Sequence, residues 1–343
     1  MCGYFSGSAD FGAGSRTSAG AYDIFVARYT SAGSPLWSKT LGGVDNDTAN
    51  GVAVDATGNV IVTGVFRWTV NFGSDTLTSA LYGAPDIFLA KYDSSGNPLW
   101  AENFIGPSSD YGSAVAVDSA GNILLAGGFL GSLNLGGAQL TAAGTTSEDF
   151  YVGKFTSAGA PLWSRRFGSI GTDTAADLAV DSSGNALVTG QFALTVDFGG
   201  GFSKAAIGQD LYVLKLSGSN GNTLWVKSFV STGNEVGNSI VADSAGNAVV
   251  TGYMDLTADF GSGTLTSAGS ADIIVLKLTS SNGSPIWSHR YGAASFDQGL
   301  GITVDATDRP LVTGYFKTTV DFSGVVLVGS GTAADIFLLQ LWP

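Results

Sequence analysis

Apolar residues along the chain alternate with polar ones over short runs, and clusters of Gly, Ser, Asn and Asp separate the runs. A period of two predicts short, half-buried strands, and no helical period interrupts it. In one stretch Gly51 to Val54 predicts a strand a. A turn over Asp55-Ala56-Thr57-Gly58 leads into a strand b, Val60 to Phe66. Glycine supplies the positive φ that such a turn needs, and Asp can bond the backbone two residues on. A longer connection with apolar spots at Val70, Phe72 and Leu77 precedes a strand c, Ile87 to Tyr92. A second tight turn, Asp93 to Asn97, precedes a strand d, Leu99 to Phe104.

This order repeats along the whole chain. One phrase recurs as Asp23-Ile24-Phe25-Val26, Asp86-Ile87-Phe88-Leu89, Asp149-Phe150-Tyr151-Val152, Asp210-Leu211-Tyr212-Val213, Asp272-Ile273-Ile274-Val275 and Asp335-Ile336-Phe337-Leu338, in steps of 63, 63, 61, 62 and 63 residues. The tryptophans of strand d, Trp37, Trp100, Trp163, Trp225 and Trp287, keep the same phase. A four-stranded sheet cannot bury both faces alone, so neighbouring units must stack. A unit of about 62 residues suits a propeller blade better than the shorter rung of a β-solenoid. The expected fold is an all-β propeller of four-stranded antiparallel blades, with residues 1–343 forming a single domain. The chain holds five and a half units: it begins with part of b, then c and d, and ends with a, b and c. Six blade positions use every strand. The alternative, five blades, leaves one apolar strand exposed as an edge.

Composition narrows the functional classes. Fifty glycines and 13% charged residues beside 44% hydrophobic residues describe a turn-rich folded chain. Fifteen basic against 28 acidic residues, a net charge of −13, repel phosphate backbones, so nucleic acid is not an expected partner. Cys2 is the only cysteine, which excludes an internal disulfide, and no apolar run reaches membrane-spanning length.

Five polar positions recur before strand a: Asp47, Asp110, Asp173, Glu235 and Asp297. They could pair with the basic residues of strand c, Arg28, Lys91, Lys154, Lys215 and Lys277, or accept backbone amides. A ring of carboxylates could instead attract calcium, a hard cation that prefers oxygen ligands; the metal-binding residues are otherwise unknown. The strand d tryptophans are expected to cover the seams between blades. Trp68 breaks the repetition, in a connection where other units offer Lys317 or Leu256, and is the isolated contact candidate. The Asp-Phe-Gly-like phrase at Asp10, Asn71, Asn134, Asp197, Asp259 and Asp321 recurs without a nucleotide loop around it and reads as a turn plugged by an aromatic. His289 is the only histidine, so no His-based metal site can form, and no catalytic residue is assigned.

The phrase Gly42-Gly43, Asp47, Val52 to Asp55, Gly58-Asn59 and Val60 to Gly64 returns through Asp118-Gly121-Asn122, Asp181-Gly184-Asn185 and Asp243-Gly246-Asn247. It resembles the bacterial beta-propeller repeat family called SBBP, found in large secreted and surface proteins, and its strand order is similar to that of NHL-repeat propellers, whose first strand lines the axis. The last unit departs, with Asp308-Arg309-Pro310, and a different turn geometry is expected there because proline fixes φ. The resemblance implies bacterial origin and export but no single activity. The expectation is a non-enzymatic, extracellular or cell-surface module with structural, adhesive or protein-binding roles. A multivalent carbohydrate-binding propeller is the runner-up and a glycoside hydrolase or lyase the third reading. Incomplete end blades could also drive self-association.

Overall fold

In a computed structural model the protein is an all-β, six-bladed propeller, and every residue except 81, 82, 332 and 343 is described. The chain forms two compact units, Met1–Arg166 and Phe167–Pro343. Among the described residues there is no helix.

The first sheet holds b, c and d as Cys2–Phe5, Asp23–Tyr29 and Pro35–Leu41. The second has all four strands: Thr48–Val54, Val60–Phe66, Asp86–Tyr92 and Pro98–Phe104. The third is Asp110–Val117, Ile123–Phe129, Asp149–Phe155 and Pro161–Phe167. The fourth is Thr174–Val180, Ala186–Asp197, Ser203–Leu216 and Thr223–Phe229. The fifth is Glu235–Ala242, Ala248–Met254, Asp272–Leu278 and Pro285–Tyr291. The sixth holds a, b and c as Gln298–Val304, Pro310–Lys317 and Ala334–Gln340. All paired neighbours are antiparallel, as short turns between consecutive strands require.

In the second to fifth sheets strand c is buried on both faces. In the second sheet Phe88 and Ala90 pack toward the first sheet with Ile24, Val26, Val62 and Phe66, while Ile87 and Leu89 pack toward the third with Val115, Ile123 and Leu125. The fifth sheet repeats this arrangement between its neighbours. Alternation thus marks two different seams, which is why the run reads as continuously apolar.

Strand a starts earlier than its apolar run suggests. In the second sheet the ladder begins at Thr48 and steps past Asn50 in a β-bulge. The bulge turns the Asn50 side chain sideways, and its amide donates to the Gly112 carbonyl of the third sheet at 2.9 Å. Asn238 donates likewise to Gly299 at 2.7 Å. The connection between b and c is itself structured: it folds back as a small hairpin, such as Thr69–Asn71 with Thr76–Thr78. In the fourth sheet the hairpin merges with b and c.

The expected change of turn geometry in the last unit is not found. Asp305 makes the same bonds as Asp55: its backbone amide donates to Arg309 O at 3.0 Å, and its Oδ1 accepts from the amides of Thr307 and Arg309. Asp308 takes the left-handed conformation of Gly58 at φ 61°, which Asp tolerates, and Pro310 falls at the first residue of strand b, where no ladder donor is lost.

Candidate functional site

Two polar layers hold the seams. The first lies on the turn between a and b, where the Asp-x-x-Gly-Asn phrase closes on itself. Asp118 Oδ1 accepts the amides of Ala120 and Asn122, and Oδ2 accepts the Asn122 side chain. The basic residue of strand c completes the arrangement: Lys91 reaches Asp55 at 3.0 Å, Lys154 reaches Asp118 at 2.8 Å, Lys215 reaches Asp181 at 2.7 Å and Lys277 reaches Asp243 at 2.8 Å. The lysines therefore pair with the turn aspartates, not with the acids that precede strand a. Burial pushes each of these aspartates up, but the lysine and asparagine hydrogen bonds outweigh it, so Asp118, Asp181 and Asp243 lie below the usual carboxylate range.

The same lysine reaches across the seam. Lys215 Nζ donates to Ser280 O at 2.9 Å, and Trp225 Nε1 donates to that carbonyl at 3.1 Å. In the first seam Arg28 and Trp37 converge in the same way on Ser94 O. Trp37, Trp100, Trp225 and Trp287 each lie against the core shared with the following sheet, and Trp163 is half-buried in its strand d.

The second layer is built from carboxylates. Asp47, Asp110, Asp173, Glu235 and Asp297 are all fully buried. Asp47 accepts the Gly43 amide at 2.7 Å and the Arg67 amide at 2.8 Å; Asp297 accepts those of Ala293 and Lys317; Asp173 accepts those of Ser169 and Ala193. Each acid thereby ties the loop leaving strand d to the end of strand b. The aspartate that opens strand c joins this layer, a role its recurrence alone does not reveal. Asp86 accepts the Ala80 amide at 2.6 Å, and Asp110 accepts the Leu130 amide at 3.3 Å. Ser231 donates from its amide to Asp210 at 3.1 Å and from its hydroxyl to Glu235 at 2.6 Å.

The acids that precede strand a are shifted upward. Burial, with Asp86 adding its charge, raises Asp110 to about 8, and burial with Asp210 raises Glu235 to about 8. Burial likewise raises Asp47 to about 6. Asp86 Oδ1 and Asp110 Oδ2 are buried without a hydrogen-bond partner, a cost that ionisation would increase. The layer can thus hold protons, but it is closed to solvent. Among the described residues no group of three or more His, Cys, Asp or Glu side chains is placed to hold a metal ion.

Trp68 lies on the surface with its ring over Gly83, and its backbone is left-handed at φ 58°. Its structural equivalents are Leu194, Leu256 and Thr318, also left-handed, and Gly7 and Gly131 in the first and third sheets. Lys317, matched to Trp68 in the sequence reading, is one position off; Thr318 is the counterpart. His289 is exposed beside Trp287 and Tyr291, and Cys2 is half-buried, with burial pushing its thiol up to about 11.

Strand d carries a feature that the sequence reading missed. The ladder skips Leu99, pairing Lys91 with Trp100 and Tyr92 with Pro98. The bulged residue turns outward, so Leu36, Leu99, Leu162, Leu224 and Ile286 stand 53%, 48%, 51%, 46% and 44% exposed. The signal was present in the Pro-Leu-Trp phrase, but only the register reveals which of its residues faces water.

A family model for the beta-propeller repeat SBBP matches residues 162–191. The chain is 24% identical over 199 residues to an uncharacterized WD repeat-containing protein of Acanthamoeba polyphaga mimivirus, covering 50% of this chain and 14% of that protein. It is 28% identical over 170 residues to the regulatory protein FlaEY of Caulobacter vibrioides, covering 48% and 18%. The chain therefore spans less than a fifth of either relative. Among solved structures, a Bacteroides caccae protein of unknown function aligns at TM-score 0.46 with 10% identity, covering 92% of this chain and 83% of that one. A gluconolactonase from Xanthomonas campestris aligns at TM-score 0.41 with 14% identity, covering 89% and 75%.

Proposed function

We propose that the chain is a non-enzymatic binding module of a secreted or cell-surface protein, engaging protein partners through a repeated apolar surface. The observation that carries this reading is the outward-turned residue of strand d, left half-exposed in the same phase in five sheets. Repetition of one weak contact gives avidity without any single deep pocket. The repeat's lysines and carboxylates hold turns and seams, which leaves the exposed leucines as the feature in need of a partner.

Adhesion of chain-coated beads to bacterial envelopes tests the proposal. Protease-sensitive adhesion that falls when Leu36, Leu99 and Leu162 are all replaced by serine is the expected result. Turnover of a chromogenic glycoside by the purified chain would instead make it an enzyme.

One observation favours the carbohydrate reading as an alternative. A polar cleft of about 380 Å³ runs between strand d of the first sheet and the hairpin of the second, lined by Arg16, Lys39, Thr40 and Asn71. A glycan-array signal lost in Lys39→Ala would replace the protein-binding reading.

A further inference from the structure

We infer that the cleft between strand d of the first sheet and the hairpin of the second is a site for an acidic sugar, an oligosaccharide that brings one carboxylate to Arg16 and Lys39. The inference rests on the carbohydrate reading of this cleft and names its ligand; the exposed leucines take no part in it. At about 380 Å³ the cleft falls in the size range of small-ligand sites. Its polar lining consists of groups that can donate: the Arg16 guanidinium, the Lys39 ammonium, the Asn71 amide and the Thr40 hydroxyl, beside the buried Leu41 and Phe72. Among the described residues no carboxylate lines it.

Both cations are held in place without being neutralised. Arg16 donates from Nη2 to Ser38 O at 3.0 Å and from Nε to Ser38 Oγ at 3.4 Å, which leaves Nη1 to a ligand. Lys39 Nζ stands 5.8 Å from the centroid of the buried Tyr92 ring, a cation–π contact that positions the ammonium. Among the described residues neither joins an ion pair, whereas the strand c lysines Lys91 and Lys215 each do. Asn71 Oδ1 accepts the Gly73 amide at 2.7 Å, so Nδ2 is the end of its side chain left to bind.

Comparison along the repeat separates this combination from the architecture. Each strand d residue in the place of Lys39 is followed by a hairpin residue in the place of Asn71: Glu102 by Asn134, Arg165 by Asp197, Lys227 by Asp259 and His289 by Asp321. A basic residue is thus followed by an acid and the acidic one by an amide, and only Lys39 departs from that rule. Arg16 stands where the second, third, fifth and sixth hairpins have Leu77, Leu140, Leu265 and Leu327. Two uncompensated cations suit one oxyanion through charge-assisted hydrogen bonds. The net charge of −13 meanwhile repels a dense polyanion, which favours a single carboxylate on a neutral framework. An extended acidic peptide fits less well, because the adjoining strand d is bulged at Leu36: Arg28 pairs with Trp37 and Tyr29 with Pro35, so the ladder for strand addition is interrupted.

The probe is cellobiouronate, a glucuronate joined to glucose, titrated into the full chain by calorimetry; cellobiose is the same framework without the carboxylate. Saturable binding of cellobiouronate is expected, with cellobiose weaker by about tenfold or more. Asn71→Asp introduces the acid that Asp10 and Asp259 supply in sister hairpins, where they accept the Gly12 and Gly261 amides at 2.7 Å, so the variant keeps the turn. It should weaken cellobiouronate binding about tenfold, as should Lys39→Ala, while Glu102→Gln at the corresponding place of the second sheet leaves it unchanged. Equal binding of the two sugars would overturn the inference and leave the carbohydrate reading standing; no binding of either would remove both. Undiminished binding by Asn71→Asp, a loss in Glu102→Gln, or tighter binding of tetraglutamate than of cellobiouronate would also overturn it.

Discussion

Asp110 shows how a residue that looks like a surface charge becomes a buried acid. Its folded value, near 8, lies above the unfolded range near 4, so the folded state keeps a proton that the unfolded chain releases. The stability it contributes is complete below pH ~4 and is lost progressively as pH rises toward 8. Asp110→Asn keeps the neutral shape and an acceptor for the Leu130 amide. Urea melts of this variant should show a shallower loss of stability between pH 5 and pH 8 than the parent, and a gain at pH 8. An unchanged slope would mean that Asp110 is ionised in the fold. Leu256 makes a different prediction from its backbone alone. Its left-handed φ of 51° costs a branched side chain about 1–2 kcal/mol, while glycine gives back part of that through unfolded-chain entropy. Leu256→Gly should therefore stabilise by about 0.5–1 kcal/mol in the same melts, since Leu256 is exposed. The corresponding Gly7 and Gly131 already have the residue that the conformation favours.

At the scale of the element, the turn between a and b and the strand c lysine form one unit. Lys215 is bonded to Asp181 within its sheet and to Ser280 across the seam, and both members of the ion pair are buried. Removing one partner of a buried pair strands the other charge, at a cost of about 3–5 kcal/mol. Lys215→Met should destabilise by that amount in denaturant titration, and adding Asp181→Asn should restore part of it; a strictly additive loss would show the two side chains to be uncoupled. Most of this element was legible in the sequence. The Asp, Gly and Asn of the turn announce themselves by chemistry, and the basic residue of strand c by recurrence. What stayed hidden was the pairing. Lys91 and Asp55 are separated by a whole hairpin, and nearer acids such as Asp110 offered the same charge. The bulges were hidden for a related reason. Pro98-Leu99-Trp100 shows three residues that could all face a core, and only the ladder with strand c decides that Leu99 does not. The carboxylate layer was half visible: Asp110 was singled out, while Asp86, whose charge raises it, read only as the start of a strand.

For the whole molecule the two polar layers pull stability in opposite directions with pH. The turn aspartates, Asp118, Asp181 and Asp243 among them, have lowered folded values, so their contribution is present above about pH 4 and lost as pH falls through those values. Asp47, Asp110 and Glu235, with Asp86 and Asp297 shifted the same way, contribute most below about pH 4 and lose it as pH rises, with Asp110 and Glu235 titrating near 8. The thermal midpoint should therefore peak in mildly acid solution and decline on both sides. A net charge of −13 predicts a decline toward alkaline pH as well, through self-repulsion of the surface. Salt separates the causes. At about 1 M ionic strength the Debye length shrinks to about 3 Å, which quenches repulsion between exposed charges but leaves buried carboxylates nearly untouched. Melting curves from pH 4 to pH 9 at low and high salt should keep most of the alkaline decline, and Asp110→Asn combined with Glu235→Gln should remove a large share of what high salt leaves. A decline that vanishes with salt in the parent protein would assign the pH response to the surface and leave the buried acids ionised throughout.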